Sequence, residues 1–327
     1  MKQPEFSGKG WLVHNSDCIE GMHAMPENSI DCTIFSPPFG DLFVYSDSER
    51  DLGNAGEGGA FMDQYRFFAE ALTRVMRPGS IACVHCTDLP MRKGKHGAVG
   101  LSDFSGDLVK AHTDAGLVYH GRATIWKDPV VEMQRTKAVG LLYKQIRKDS
   151  HMNRVGMPDY MLFFRKDGVN PRPISHAAPE DDKRALEIAR EWLIDLRRNG
   201  LCADVPDDDA LRVLMQDAKF DVYEWQKLAS PVWMDIQQGN VLRRVKAVND
   251  EKHVCPLQLD VIARCLRLYS RPGDVVMDPF NGIGSTGYEA VKMMRRYIGF
   301  ELKPEYAAQA GANIKEAETI AGDLFAA

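Results

Sequence analysis

The stretch VVMDPFNGIGSTGYEA, residues 275–290, constrains the fold more than any other part of the chain. An apolar run that suits a buried strand leads into a turn containing Gly282, Gly284 and Gly287, and a helical pattern follows. Glycines let the backbone turn sharply and approach a ligand closely, and a helix N-terminus favours anionic groups. A strand that feeds a helix through such a turn predicts an α/β sheet that binds a ligand at its strand ends.

Strand-like and helix-like segments alternate through most of the chain. WLVHN, SIDCTIF, SIACVHC and LVYHGRATIW suit strands, whereas CIEGMHAM, FMDQYRFFAEALTRVM and FSGDLVKAHTDAG suit helices. Residues 170–250 break this alternation with a loop and two amphipathic helices, after which strands and helices resume. The pattern predicts a Rossmann-like, three-layer α/β fold with a parallel sheet and a mostly helical insertion.

Composition narrows the class of protein. The chain has 327 residues, of which 44% are hydrophobic, and no apolar run approaches the length of a membrane span. Its start carries no signal-peptide pattern, so we expect a cytoplasmic protein without a membrane partner. Cys83 and Cys86 form one CxxC, but they lie in a strand-like run with no second pair, so we expect no metal site.

Charge is divided into blocks along the chain. The net charge is −5, but residues 121–170 hold ten Lys or Arg against five Asp or Glu, a local excess of five positive charges. An acidic block that begins at APEDDKRALE follows this basic segment. We interpret the acidic block as a solvated face and the basic segment as a candidate nucleic-acid contact.

Glu301 adds to the significance of the glycine turn. It ends the strand-like run IGFEL, 19 residues after Gly282, a spacing close to that of a dinucleotide fingerprint. A carboxylate at that strand end is a common acceptor for the hydroxyl groups of a ribose. The residues therefore predict an adenosine-containing cofactor, with NAD and S-adenosylmethionine both open at this point.

The stretch SPPF, residues 36–39, indicates the chemistry. The exocyclic amino group of a nucleobase is a poor nucleophile because its lone pair is delocalised into the ring. The Ser36 hydroxyl and the Pro37 carbonyl are two acceptors that could hold such a group, and the two prolines stiffen the loop. Phe39 offers a stacking face for an extruded base. The loop by itself points to no metal, histidine base or covalent nucleophile, and it favours S-adenosylmethionine over NAD.

SPPF at residues 36–39 and DPFNGIGSTG at residues 278–287 together resemble the motifs of the amino-group DNA methyltransferases, which modify cytosine N4 or adenine N6. The order of catalytic motif, variable region and cofactor motif is similar to the permuted order called the β group. The resemblance covers most of the α/β part of the chain and implies an S-adenosylmethionine-dependent methyltransferase sheet. It implies double-stranded DNA as the substrate and is compatible with a homodimer and with a companion restriction nuclease.

The resemblance also implies roles for individual residues. Ser36, Pro37, Pro38 and Phe39 correspond to the catalytic loop. The residues that correspond to cofactor-binding positions are Asp17, His253, Gln258, Asp278, Phe280, Gly282, Gly284, Thr286 and Glu301.

Three domains follow from this correspondence. They are a catalytic half at 1–128, a variable target-recognition region at 129–250 and a cofactor-binding half at 251–327. The basic residues of the variable region, expected to contact DNA, are Arg135, Lys137, Lys144, Arg147, Lys148 and Arg154.

Several alternatives remain. Serine at the first position of SPPF favours cytosine N4 by resemblance, and adenine N6 is the alternative target. An RNA methyltransferase would use the same chemistry on a different substrate. An inactive DNA-binding protein would not need the intact motifs, and an NAD-dependent oxidoreductase would leave SPPF without a use.

Overall fold

The computed structural model describes residues 5–39, 59–91, 94, 97–136, 141–178, 180–202, 206–243 and 256–326. The strands are β1 (Phe6–Gly8), β2 (Trp11–Asn15), β3 (Ile30–Phe35), β4 (Met76–Cys86), β5 (Leu89–Met91), β6 (Gly100–Ser102), β7 (Leu117–Ile125), β8 (Asp159–Lys166), β9 (Val232–Trp233), β10 (Val275–Asp278) and β11 (Arg296–Glu301). The helices are α1 (Cys18–His23), α2 (Gly59–Val75), α3 (Phe104–Asp114), α4 (Pro129–Thr136), α5 (Tyr143–Lys148), α6 (Asp182–Arg198), α7 (Asp207–Ala218), α8 (Val222–Leu228), α9 (Leu259–Tyr269), α10 (Ser285–Lys292) and α11 (Pro304–Ala326), with a 3₁₀ turn at Ser150–Met152.

Nine strands form one mixed sheet in the order β1-β2-β11-β10-β3-β4-β8-β7-β9. The five strands from β2 to β4 in this order are parallel, as the strand–helix alternation predicts. The prediction of a parallel sheet was wrong for β1 and β8, which run antiparallel to their neighbours. Strand β8 was not predicted; its apolar run MLFF lies within the basic segment 121–170.

Helices cover both faces of the sheet. On one face α1, α2 and α3 pack through residues such as Met22, Phe68 and Leu108. On the other face α9, α10 and α11 pack through residues such as Ile262 and Ile314. The three-layer prediction is therefore confirmed, and the burial of these apolar side chains supplies the main stabilising free energy.

Cys83 and Cys86 are close in sequence, but their side chains lie on opposite faces of the sheet. Both are fully buried in β4, but Cys83 belongs to the core on one face and Cys86 to the core on the other. Residues three apart on a strand point to opposite faces. The two thiols therefore cannot bind one metal ion.

The predicted region 129–250 divides between the two edges of the sheet. The segment from 126 to 158 connects the end of β7 to the start of β8, both at the carboxyl edge of the parallel strands. Helices α6 and α7 form a small core of their own and contact the opposite edge, where Arg271 contacts Asp195 at 2.9 Å and Arg295 contacts Asp217 at 3.1 Å. Among its described residues the helical part has three helices, α6, α7 and α8, instead of the two predicted.

Within the described ranges, no helix is both long enough and apolar enough to cross a membrane.

Candidate active site

The SPPF loop leaves β3 at the carboxyl edge of the sheet. Pro37 and Pro38 are buried, whereas Ser36 and Phe39 are half-buried. The Phe39 ring packs edge-on against the rings of His85 and Phe104, with centroid distances of 6.3 and 6.2 Å. The loop is thus anchored by its prolines and its aromatic ring, with the Ser36 side chain at the border between core and surface.

Ser36 contacts a histidine that the sequence analysis did not single out. Its Oγ lies 3.1 Å from Nδ1 of His85 and 3.4 Å from the His85 carbonyl oxygen. Nε2 of His85 lies 3.3 Å from Oδ2 of Asp159, and Oδ1 of Asp159 accepts a hydrogen bond from Nζ of Lys127 at 2.5 Å. The sequence feature that could have identified His85 is its position, since it is a polar residue near the end of an apolar strand. That strand, β4, is the neighbour of β3 in the sheet.

The electrostatics of Asp159 favour its ionised form. Burial by itself raises the pKa of this carboxyl, but the hydrogen bond and charge of His85 and of Lys127 lower the pKa below its usual value. A buried carboxylate that stays ionised can only accept hydrogen bonds.

The glycine turn after β10 is held by a buried carboxyl and a close helix contact. Asp278 accepts a hydrogen bond from the backbone N–H of Phe280 at 2.9 Å. Burial raises the pKa of Asp278 to about 7, and polar contacts with the Thr286 side chain and the Phe280 N–H partly oppose this effect. Gly284 has a φ of +85°, and a Cβ there would lie 2.9 Å from the Cβ of Ala310 in α11. The turn therefore requires glycine at this position.

Glu301 ties its own strand end to the glycine turn. Its Oε2 accepts the Gly282 N–H at 2.8 Å, and its Oε1 accepts the Lys303 N–H at 2.9 Å. Asp17 follows the neighbouring strand β2 and caps α1, where it accepts the Glu20 N–H at 2.9 Å.

Burial and the carboxylates of Asp17 and Glu301 all raise the pKa of the Cys18 thiol. Its pKa is raised well above the usual value, mainly by burial and further by the negative charges of Asp17 and Glu301. The structure therefore brings these two predicted cofactor residues to one place at the carboxyl edge.

The catalytic loop and the glycine turn lie side by side. Their strands, β3 and β10, are paired in the sheet, with Met277 opposite Thr33. The Thr286 hydroxyl donates to the carbonyl of Ile34 at 3.3 Å, two residues before Ser36. Phe280 faces inward, with its ring 5.8 Å from that of Phe35. The two motifs, 242 residues apart in sequence from Ser36 to Asp278, thus share one site.

Gln258 and His253 are the two remaining residues predicted to bind the cofactor. Gln258 precedes α9 and donates from Nε2 to Oε1 of Gln238 at 3.1 Å. Its own Oε1 is buried and has no hydrogen-bond partner among the described residues. His253 lies outside the described residues.

Four of the six basic candidates can be placed in the structure. Lys144, Arg147 and Lys148 are exposed on α5, and Arg154 is half-buried. Lys137 and the side chain of Arg135 lie outside the described part of the chain. The segment 126–158 that carries these four residues starts and ends at the carboxyl edge, from which SPPF emerges.

The residues present fit an adenosine cofactor with a charged methionine end. The left-handed Gly284 permits a turn with no side chain in the way, and the nearby carboxylates of Glu301 and Asp17 supply acceptors for hydroxyl and amino groups. The unpaired Oε1 of Gln258 is one further acceptor. Glu301, Asp17, Asp278 and the 282–286 turn remain the predicted groups for holding an adenosine cofactor.

Comparison with known proteins agrees with this geometry. The family model described as DNA methylase, for N6 and N4 methyltransferases, matches residues 30–312. The chain is 34% identical over 304 residues to Type II methyltransferase M.Cfr9I of Citrobacter freundii, covering 91% of this chain and 85% of that protein. It is 23% identical over 316 residues to Type II methyltransferase M.XycI of Xanthomonas campestris pv. cyanopsidis, covering 94% and 88%.

Solved structures show the same fold. TTHA0409 of Thermus thermophilus, a candidate DNA modification methylase in complex with S-adenosyl-L-methionine, has a TM-score of 0.60 at 19% identity, with 93% of each chain covered. The PvuII DNA methyltransferase, described as cytosine-N4-specific, has a TM-score of 0.55 at 18% identity, covering 99% of this chain and 96% of that one.

Proposed function

Because the chain belongs to the N6/N4 DNA methylase family, whose members use S-adenosylmethionine, we propose that it methylates the N4 amino group of a cytosine rotated out of duplex DNA. The observation that carries this proposal is the contact between the two motifs. Thr286 of the glycine turn donates to the Ile34 carbonyl, next to the SPPF loop, so a base at Ser36 and a cofactor at the turn would be neighbours.

The chain's own residues hold and orient the base. The Ser36 hydroxyl and the Pro37 carbonyl accept hydrogen bonds from the amino group, and Phe39 supports the ring of the base. Two acceptors on the amino group draw its nitrogen away from conjugation with the ring. When bound, S-adenosylmethionine supplies an electrophilic methyl group that the amino nitrogen accepts. Asp17 and Glu301 hold the adenosine end of the cofactor through its amino and hydroxyl groups.

The preference for cytosine rests on Ser36, the residue type that favours N4 in this family. The PvuII enzyme, named as cytosine-N4-specific, shares the fold. Trp126, at the end of β7, is 43% exposed at the same edge, so it is not a core tryptophan and could form one wall of the base pocket. Residues 126–158, the part of the basic segment that connects β7 to β8, would bind the phosphates around the extruded base.

The test is a nucleoside analysis. Purified protein, unmethylated genomic DNA and labelled S-adenosylmethionine are incubated, and the DNA is digested and analysed by mass spectrometry. N4-methylcytidine in its deoxy form is the expected product. N6-methyldeoxyadenosine would overturn the choice of base, and transfer to RNA in preference to DNA would overturn the choice of substrate.

Ser36→Ala tests the role of the catalytic loop. We expect kcat to fall by about 10²–10³-fold, because one of the two acceptors for the amino group is lost. The Kd for S-adenosylmethionine, measured by calorimetry, should stay within about twofold of the wild-type value, since Ser36 lies outside the glycine turn. Ser102→Ala, at an exposed position on β6, is the control. A normal kcat in Ser36→Ala would contradict the assigned role.

A further inference from the structure

A row of four polar side chains extends from the catalytic loop into the protein. Ser36, His85, Asp159 and Lys127 lie at the carboxyl-edge ends of four strands that are neighbours in the sheet: β3, β4, β8 and β7. The successive distances are 3.1 Å from Ser36 Oγ to His85 Nδ1, 3.3 Å from His85 Nε2 to Asp159 Oδ2, and 2.5 Å from Asp159 Oδ1 to Lys127 Nζ.

The direction of the hydrogen bonds follows from the two ends of this row. Lys127 has only donors, so Asp159 receives a hydrogen bond at Oδ1, and its ionised Oδ2 lies 3.3 Å from Nε2 of His85. An anionic oxygen beside Nε2 favours the tautomer of neutral His85 that carries its hydrogen on Nε2, which leaves Nδ1 as an acceptor. In this tautomer the Ser36 hydroxyl donates to Nδ1 at 3.1 Å instead of to the His85 carbonyl oxygen at 3.4 Å, and the lone pairs of Oγ remain for the amino group of a base.

Building on the proposed function, we propose that His85, oriented by Asp159, accepts through Ser36 the proton that the amino group releases on methylation. The N–H bond of the methylated nitrogen breaks, and its electron pair stays on nitrogen. That proton forms a new O–H bond on Ser36, while the original hydroxyl proton of Ser36 forms an N–H bond at Nδ1 of His85. The imidazolium later returns its proton to water, and no other reactant is needed.

The surroundings of His85 suit this role. His85 is 8% exposed, and the Phe39 ring lies against it, so bulk water has little access to Nδ1. The groups that face it are the Ser36 hydroxyl from the β3 end and the Asp159 carboxylate from β8. Asp159 stabilises an imidazolium, and Lys127 keeps the carboxylate from taking the proton itself.

Other charged groups lie farther along the same edge. Asp88 and Arg122 act with opposite signs on the neighbouring Cys86 thiol, whose pKa is raised mainly by burial. Among the described residues, Asp159 is the charged group in contact with His85, at 3.3 Å.

His85→Asn separates this role from a purely structural one. The asparagine oxygen can take the place of Nδ1 and accept the Ser36 hydrogen, but it cannot be protonated. We expect the single-turnover rate of methyl transfer to fall about 10²-fold, with the Kd for DNA and for S-adenosylmethionine unchanged. In the wild type the rate should decline as the pH is lowered, and this decline should be absent in the variant.

The matched control is His120→Asn, at an exposed position on β7. It should keep both the wild-type rate and the wild-type pH profile. A rate in His85→Asn equal to that of the control would overturn the proposal while leaving the proposed function intact. Methylation of adenine in place of cytosine by the wild type would overturn only the proposed base, since the relay serves either amino group.

A second measurement needs neither cofactor nor DNA. The ¹⁵N chemical shifts of His85 in the free protein report which ring nitrogen carries hydrogen. We expect hydrogen on Nε2 in the wild type and a shift toward Nδ1 in Asp159→Asn, whose amide can donate to Nε2. Hydrogen on Nδ1 in the wild type would overturn the proposal, because Ser36 could then not donate to that atom.

Discussion

At the scale of single residues, the cofactor side of the site depends on carboxylates that also hold the backbone in place. Glu301 accepts the N–H groups of Gly282 and Lys303, so it shapes the glycine turn as well as offering acceptors to a ligand. Asp17 has the same double role as the cap of α1. The sequence indicates Glu301 from its distance to the glycines, but its hydrogen bond to the turn follows only from the pairing of β10 with β11.

Glu301→Gln tests this double role. The amide has only one acceptor oxygen, so its NH₂ group must face one of the two backbone N–H donors. We expect the Kd for S-adenosylmethionine to rise about 10- to 100-fold by calorimetry, with kcat at saturating cofactor much less affected. Glu305→Gln, at an exposed position in the first turn of α11, is the control and should bind normally. Equal Kd values for the two variants would rule out a cofactor role for Glu301.

At the scale of elements, the path of β7 and β8 decides where the basic segment lies. Both strands meet the carboxyl edge where SPPF emerges, because β8 runs antiparallel to β4 and β7 antiparallel to β8. Helix α6 contacts the opposite edge through Asp195. The basic part of the predicted recognition region is therefore near the site, whereas α6 is not, and a role in DNA binding for 126–158 stays a prediction.

A triple substitution of Lys144, Arg147 and Lys148 to glutamine tests that prediction. We expect DNA affinity to fall for all sequences alike, because phosphate contacts carry no sequence information. The slope of log K against log salt concentration, measured by fluorescence anisotropy, should become less steep by up to about 2.7, or about 0.9 for each lost contact. The matched control replaces Lys183, Arg190 and Arg198 of α6 with glutamine. A similar loss in both triple variants would mean that α5 has no particular role.

At the scale of the whole molecule, several buried titratable groups connect its stability to pH. His112 is fully buried among apolar side chains and contacts the Tyr65 hydroxyl at 3.1 Å. Burial lowers the pKa of His112 to about 3, whereas burial raises the pKa of Asp278 to about 7. The two act in opposite directions: acid favours the unfolded state through His112 and the folded state through Asp278.

Comparing the pH dependence of unfolding in the wild type and in His112→Gln isolates the contribution of His112. Above the unfolded pKa of about 6.5 both states are neutral at this residue, and its contribution is fully present. Below that pH the unfolded state binds a proton that the folded state does not, until the folded pKa is reached. We expect the free energy of unfolding to fall by about 2 kcal/mol more in the wild type than in the variant between about pH 7 and about pH 5.

Urea unfolding at the two pH values measures this difference. His151→Gln, at a fully exposed position, should follow the wild type. Equal pH dependence in the wild type and His112→Gln would show that His112 is protonated without cost in the folded state.

The sequence alone determined the three-layer α/β architecture, the family and the residues of the two motifs. These features are local: strand and helix periods, glycines that permit a sharp turn, and prolines that stiffen a loop can each be recognised within a short segment. Tertiary structure decided the antiparallel β8, the division of 129–250 between two edges, and the contact of Ser36 with His85. Those depend on which strands pair across long sequence separations, and the periodicity of one segment carries no information about its neighbour in the sheet. Asp159 lies 123 residues beyond Ser36, and only the order β3-β4-β8 connects them through His85.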